Sequence, residues 1–242
     1  MASWLIGSAL KRRLWRQVGF SALGFLCTLN SVSSAAERRP VTIELVLALD
    51  CSASVDIQEF RQQLRGLAQA FGDPDVTKAI ANLAPLGVAV AMIQWGGEGD
   101  THVTLPFTVL NSKTDAIAFG LRIGQSKRRI RASVTSITTA ISDGQALIEA
   151  NQFEGQRLVI DISGDGKDNS GLDLDAARQN AKAAGITING LPIEADDTNI
   201  TPYYRDQVVI GASSFVEPAK DFKDYARAIR AKLLRELAPL AS

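Results

Sequence analysis

Three oxygen-bearing side chains follow an apolar run at alternating positions. The run VTIELVLALD, residues 41–50, ends in Asp50, and Ser52 and Ser54 occupy the next two alternate positions. In an extended segment, residues two apart point the same way, so these side chains should face one point beyond the strand. A carboxylate with neutral hydroxyls suits a hard cation such as Mg²⁺ or Mn²⁺. The pattern therefore predicts part of a divalent-metal site.

Two further groups stand where they could complete this site. Asp165 comes just after the apolar run RLVIDIS, 157–163, and lies between two glycines that allow a tight turn. Thr135 stands at the predicted start of a helix, where its hydroxyl can face the edge of a sheet. Open parallel sheets bind their ligands at the carboxyl ends of the strands. We therefore predict one Mg²⁺ or Mn²⁺, held directly or through water by Asp50, Ser52, Ser54, Thr135 and Asp165.

The elements that must position these residues alternate along the chain. Strand-like apolar runs are separated mostly by amphipathic helical stretches, and they occur at 41–50, 87–95, 101–110, 157–163 and 186–193. The turn GGEGD between the second and third runs predicts a hairpin. Strands that are apolar on both faces predict an α/β, doubly wound, mostly parallel sheet with one antiparallel edge strand. Residues 213–219 are predicted to add a short edge strand.

The order and context of these motifs resemble the von Willebrand factor type A superfamily, whose fold is Rossmann-like, over residues 41–237. D-C-S-A-S at 50–54 matches that family's D-x-S-x-S motif, and Thr135 and Asp165 follow in the family's order. The runs RLVIDISGDGKDNSG and GITINGLPI look like a secreted bacterial branch of uncharacterised function. The resemblance implies a metal-ion-dependent adhesion site, in which a partner's Asp or Glu carboxylate fills an open metal position. It implies a binding domain rather than an enzyme.

The match to the family's motif has two departures and leaves some alternatives open. Ala53 stands where the family usually has Gly, and Val134 stands where a Gly commonly precedes the Thr. Two other threonines could take the place of Thr135, and two other acids could take the place of Asp165; these are Thr138, Thr139, Asp161 and Asp168.

The first 36 residues have the order of a secretory signal peptide. Four basic residues and no acid precede the apolar segment 18–29, and small residues follow it up to Ala36. The apolar segment is short for a membrane span, which needs roughly 20 residues. We predict cleavage near Ala35 or Ala36, with residues 37–242 as one domain in the periplasm or outside the cell. An uncleaved N-terminal anchor is the alternative.

Composition and charge exclude several classes of function. Removal of residues 1–36 takes four of the 26 basic residues and none of the 26 acidic ones, so the remaining chain carries a charge of about −4. A nucleic-acid binder would need a basic face, and the basic run SKRRIRAS, 126–133, is interpreted as a solvated loop. A single histidine, His102, excludes a multi-histidine zinc site. The one cysteine left after processing, Cys51, cannot form an internal disulfide.

Other site chemistries fit the sequence less well. A calcium loop starting at Asp161 would need Glu where Leu172 stands, and an aspartyl phosphatase would need a second Asp where Ser52 stands. Phosphate-binding glycine motifs and G-x-S-x-G are absent from the sequence. The predicted function is thus metal-dependent binding of a protein or peptide with an acidic residue, without nucleic acid or a stable membrane span. A metal-free scaffold and a metal-assisted phosphohydrolase remain alternatives.

Overall fold

Five strands form a single sheet in the computed structural model, which describes residues 37–195 and 197–239. The predicted signal peptide, residues 1–36, lies outside the described residues. The strands are β1 Arg39–Asp50, β2 Val88–Trp95, β3 Thr101–Leu110, β4 Phe153–Gly164 and β5 Ile186–Pro192. The helices are α1 Ile57–Gly72, α2 Pro74–Ala81, α3 Lys113–Gly124, α4 Ile137–Glu149, α5 Leu174–Ala183, α6 Ile200–Tyr203 and α7 Tyr225–Leu237, with a π-helical turn at Tyr204–Val208.

The strand order is β3-β2-β1-β4-β5, with β1 at the centre. β1 is parallel to both of its neighbours, β2 and β4, and β4 is parallel to β5. β2 and β3 pair antiparallel and form the predicted hairpin. The predicted α/β architecture, mostly parallel with one antiparallel edge strand, is therefore confirmed. Because β1 and β4 are parallel neighbours, the loops after Asp50 and after Gly164 leave the sheet at the same edge.

Alternate residues of β1 enter two different hydrophobic layers. Leu45, Leu47 and Leu49 pack in the layer formed with α1, α2, α3 and α7. Val46 and Ala48 pack in the opposite layer with α4 and α5. The strand is buried on both faces, which explains why its sequence is a continuous apolar run rather than an alternating one.

Helix α1 begins directly after the loop that carries the two predicted serine ligands. Asp56 accepts hydrogen bonds from the backbone N–H groups of Gln58 (2.6 Å) and Glu59 (2.8 Å). The Glu59 carboxylate in turn accepts from the Asp56 N–H at 2.6 Å. This capping box satisfies backbone donors at the helix start and fixes where the preceding loop must end.

The segment 213–219 does not form the regular edge strand that the sequence predicts. It makes only isolated bridges, one between Val216 and Gly190 and one between Ala219 and Ile193. Ser213 has a positive φ of 59°, which is incompatible with extended pairing, and Pro218 supplies no N–H for a ladder. Within the described ranges, no helix has the length and apolar character needed to cross a membrane.

Candidate metal centre

Asp50 occupies the carboxyl end of the central strand and is completely buried. Its Oδ1 accepts a hydrogen bond from the Ser52 N–H at 2.7 Å, and the Cys51 N–H donates to the Trp95 carbonyl of β2 at 2.8 Å. The chain thus stays paired to the sheet for one residue beyond Asp50 before it turns. The turn brings the Ser52 backbone back onto the carboxylate and holds it at the edge of the sheet.

The two serines and Asp165 form a chain of hydroxyl and carboxylate contacts. The Oγ atoms of Ser52 and Ser54 are 3.1 Å apart, and Ser54 Oγ donates to Asp165 Oδ1 at 2.7 Å. Ser54 and Asp165 are 111 positions apart in sequence, and the parallel pairing of β1 with β4 brings them together. The structure therefore places Asp165 at the Asp50 loop, as the sequence predicts.

Thr135 lies beside the loop that follows β4 and carries Asp165, two residues before α4. Its N–H donates to Asn169 Oδ1 at 2.8 Å, and its carbonyl accepts from the Asn169 N–H at 3.0 Å. A Cβ atom built on Gly166 would lie 3.2 Å from Thr135 Oγ1, so the hydroxyl sits directly against the residue after Asp165. The helix itself starts two residues later than predicted, because Ser136 is its N-cap.

The competing threonines and acids have other partners. Asp168 Oδ2 accepts from the N–H (2.8 Å) and the hydroxyl (2.9 Å) of Thr138, so this pair caps the start of α4. Thr139 Oγ1 lies 2.8 Å from Ser136 Oγ. Asp161 lies in β4 and forms an ion pair with Lys232 of α7 at 2.9 Å. Among the alternatives, the geometry favours Thr135 and Asp165.

The surroundings of Asp50 disfavour the charged form of its carboxylate. Burial, together with repulsion from Asp165, raises the pKa of Asp50 from 3.8 to about 7, against hydrogen bonds from Ser52 and from the Asp165 backbone that lower it. Its Oδ2 atom is buried and has no hydrogen-bond partner among the described residues. Leaving such an atom unpaired is costly unless a proton or a cation compensates it.

Tyr204 also lies at this carboxylate, although no sequence motif indicates it. A Cβ atom on Gly164 would lie 2.8 Å from both Asp50 Oδ2 and the Tyr204 hydroxyl, so only a glycine fits between them. The hydroxyl is buried without a partner in the described structure, and burial raises the pKa of Tyr204 well above its ordinary value. The tyrosine stands in the π-helical turn after α6, and its sequence context is indistinguishable from that of a core aromatic.

Arg128 contacts the loop 51–55, which carries the two predicted serine ligands and is called the metal-site loop below. Its guanidinium donates to the carbonyls of Cys51 (2.8 Å), Ser52 (3.0 Å) and Val55 (2.5 Å). The interpretation of 126–133 as a solvated loop is therefore wrong for Arg128, whose charge satisfies loop carbonyls. An inward arginine cannot be distinguished by sequence from its exposed basic neighbours.

The donor set suits a hard divalent cation. Two carboxylates and three hydroxyls gather at one edge of the sheet, and an unpaired buried oxygen belongs to one of the carboxylates. Across residues 37–195 and 197–239, no group of three or more His, Cys, Asp or Glu side chains is arranged to hold a metal. A site in this region must therefore rely on hydroxyl and water oxygens, which Mg²⁺ and Mn²⁺ accept and which zinc accepts less readily.

Comparison with solved structures gives the same fold. Proximal thread matrix protein 1 from the mussel byssus, "with zinc occupied MIDAS motif", matches with a TM-score of 0.60 and 17% identity, over 84% of this chain and 49% of that chain. The vWF domain of the type V pili tip protein Mfa5 from Porphyromonas gingivalis matches with a TM-score of 0.55 and 11% identity, over 84% and 98%. A von Willebrand factor type A protein from Catenulispora acidiphila gives 0.54 and 15%, over 82% and 43%.

These likenesses establish the fold and not the activity, since all of the identities are low. The chain spans about half the length of the mussel protein that it matches. None of the curated proteins matches it. The profile of one family, described as "Protein of unknown function (DUF1194)", matches residues 40–241. The chain has a von Willebrand factor type A fold, and it belongs to this DUF1194 family.

Proposed function

We propose that this protein is an exported domain that binds a protein partner through a divalent cation. Asp50, Ser52, Ser54, Thr135 and Asp165 would hold Mg²⁺ or Mn²⁺, directly or through water. The observation that carries the proposal is the buried Asp50 Oδ2, which has no partner in the described structure and belongs to a cluster of hydroxyls and a second carboxylate. The proposed signal peptide, residues 1–36, would direct the chain to the periplasm or outside the cell.

The cluster is better suited to binding than to catalysis. Two carboxylates balance the charge of a divalent ion, and hydroxyl ligands add none, so a bound ion would still attract an incoming carboxylate. Outside the proposed ligands, the two polar side chains described next to the cluster are unsuited to act as a general base: the Tyr204 hydroxyl has a strongly raised pKa, and the Arg128 guanidinium is bonded to carbonyls. A partner with an exposed Asp or Glu would supply the incoming group. Solved relatives that include a pili tip protein and a pilus adhesin support such a role.

Metal binding should raise the melting temperature of the protein. A ligand present at 100 times its dissociation constant stabilises the folded state by about 2.7 kcal/mol, which corresponds to roughly 5–10 °C for a domain of this size. We expect this rise with Mg²⁺ or Mn²⁺ and its loss with EDTA, measured by differential scanning fluorimetry. Asp165→Asn should lose the rise, whereas Asp206→Asn, which neutralises an exposed carboxylate in the π-helical turn, should keep it.

The wild-type and Asp165→Asn proteins also distinguish the proposed function from its two alternatives, a metal-free scaffold and a phosphohydrolase. A wild-type melting temperature that does not respond to either metal would contradict the proposal and support a metal-free scaffold. Hydrolysis of p-nitrophenyl phosphate that needs the metal and is lost in Asp165→Asn would instead support a phosphohydrolase. The proposal predicts a metal response without such turnover.

A further inference from the structure

A row of three cations lies next to the metal centre. In the segment 127–132, which lies outside the helices and strands, the exposed side chains belong to Lys127, Arg129 and Arg131, while the alternate side chains are wholly or partly buried. We call these three residues the basic strip. The alternation is typical of extended backbone, whose rise of about 3.3 Å per residue would place a positive charge roughly every 7 Å over about 13 Å.

The backbone of the strip is fixed by a buried glutamine on β2. Gln94 Nε2 donates to the Lys127 carbonyl at 2.8 Å, and Gln94 Oε1 accepts from the Arg129 N–H at 2.7 Å. Between them, Arg128 points inward to the carbonyls of the metal-site loop. The strip is therefore a positioned surface rather than a loosely solvated run of charge.

A groove lies between Arg131 of the strip and the loop that carries the proposed serine ligands. It has a volume of about 450 Å³, and its lining includes Ala53, which stands between Ser52 and Ser54, and Arg131. Ile57, 45% exposed, also lines this groove. A segment bound at the metal could continue along the groove onto the strip without leaving the surface.

The charges of the strip are available to a partner. None of the salt bridges within the described ranges includes Lys127, Arg129 or Arg131. An arginine binds a carboxylate through two parallel hydrogen bonds, which gives both affinity and orientation. In an extended peptide, residues two apart are also about 7 Å from each other and face the same side. Acidic side chains at alternate positions would thus match the spacing of the strip.

We infer that the partner carries an extended acidic segment, with one carboxylate at the metal and further carboxylates, at alternate positions, on Lys127, Arg129 and Arg131. This inference rests on the proposed metal-dependent function and specifies the partner's chemistry. A peptide is favoured over nucleic acid or an anionic lipid surface, since residues 37–242 carry a net charge of about −4 and the strip has only three cations, whereas a binder of phosphate polyanions needs a broader basic face.

Binding of synthetic peptides tests the inference. A labelled peptide of alternating glutamate and serine is compared, by fluorescence anisotropy in Mg²⁺, with a peptide that has one glutamate among serines. We expect the alternating peptide to bind roughly tenfold more tightly, with an affinity that falls as salt increases. Changing Lys127, Arg129 and Arg131 together to Gln should reduce its affinity to that of the single-glutamate peptide. The Mg²⁺-induced rise in melting temperature should remain.

A matched control removes three charges at the opposite edge of the sheet. Lys78, Lys113 and Lys182 are exposed. Lys78 lies in α2 and Lys182 in α5, the helices that precede the amino ends of β2 and β5. Lys113 lies in α3, which follows the end of β3 that pairs with the start of β2. Changing all three to Gln should leave peptide affinity unchanged. Equal loss in both triple variants would overturn the inference, because only overall charge would then matter.

Three other outcomes would contradict these proposals and identify which of them failed. If the strip variant binds the alternating peptide as tightly as wild type while Mg²⁺ still stabilises both, the inference is wrong and the metal-dependent function stands. If a single-stranded DNA oligonucleotide or a phosphatidylserine vesicle binds the strip equally well with EDTA, the strip is a general polyanion surface. Loss of the Mg²⁺ response in wild type would instead indicate failure of the metal proposal itself.

Discussion

Replacing Lys232 with methionine is expected to lower the free energy of unfolding by about 3–5 kcal/mol at neutral pH. Lys232 is fully buried in α7, and its Nζ lies 2.9 Å from Asp161 Oδ1 and 2.6 Å from Glu236 Oε1. The ammonium also lies 5.0 Å from the centre of the Phe215 ring. Without it, two buried carboxylates would face each other with no cation between them. Removal of one partner from a buried charge group costs more than the group contributes as a whole.

The loss should be smaller in acid. Burial raises the pKa of Asp161, and Glu236 raises it further, whereas Lys232 lowers it. Removal of Lys232 should therefore raise the pKa of Asp161 above its value in the wild type. A carboxyl whose pKa is higher in the folded state than in the unfolded state favours folding when protonated and opposes folding as the pH rises and it ionises. The destabilisation should accordingly be largest at alkaline pH and decrease towards pH 5.

Urea unfolding at several pH values measures this effect, with Lys223→Met as the control. Lys223 is exposed, and its replacement should change the free energy of unfolding by less than about 0.5 kcal/mol. A loss below about 1 kcal/mol for Lys232→Met, or one that does not depend on pH, would contradict the electrostatic account of this cluster.

The second large effect is expected at Asp50. Asp50→Asn should abolish stabilisation by Mg²⁺. Above pH 7, the metal-free variant should be at least as stable as the metal-free wild type. The asparagine can still accept the Ser52 N–H, which Asp50 Oδ1 accepts at 2.7 Å. It removes a buried negative charge that Asp165 repels. The gain in the metal-free protein is on the order of 1 kcal/mol or more, as one unit of pKa shift is equivalent to about 1.4 kcal/mol. If Asp50 served only to stabilise the fold, Asp50→Asn would instead lower the free energy of unfolding of the metal-free protein.

The pH dependence of the wild type follows from the same residue. The pKa of Asp50 is raised from 3.8 to about 7, so the folded state retains its proton over a range in which the unfolded state has lost it. Stability from the protonated form is complete below about pH 4 and is lost as the pH rises through 7. A cation must displace that proton, so the rise in melting temperature with Mg²⁺ should be small at pH 5.5 and larger at pH 8. A response that is independent of pH would contradict a role for Asp50 as a ligand.

Much of the fold is readable from the sequence because its strands are buried on both faces. The apolar runs that end at Asp50 and near Asp165 identify two parallel strands, and the GGEGD turn identifies the hairpin. Neighbouring parallel strands end at the same edge of the sheet, so the residue types that follow these strands predict which side chains lie close together there. The segment 213–219 shows the limit of this reasoning, since its apolar pattern does not reveal a positive φ at Ser213.

The parts that the sequence does not reveal depend on tertiary contacts. Arg128 belongs to a basic run, and only the structure shows that its side chain turns towards the carbonyls of Cys51 and Ser52. Tyr204 and Lys232 lie in amphipathic segments where an aromatic or a long basic side chain usually packs or is solvated. Their roles come from the strands that face them, which are far away in sequence. Local periodicity cannot supply that information.

Counting bound Mn²⁺ by electron paramagnetic resonance shows whether the cluster at Asp50 and Asp165 holds a divalent cation. Free Mn²⁺ gives a strong signal that decreases on binding, so a titration gives both the number of sites and their affinity. We expect one Mn²⁺ per chain in wild type and in Asp206→Asn, displaced by excess Mg²⁺, and none of comparable affinity in Asp50→Asn or Asp165→Asn. A wild-type protein that leaves all Mn²⁺ free, or an Asp50→Asn protein that binds it as tightly as wild type, would contradict the account.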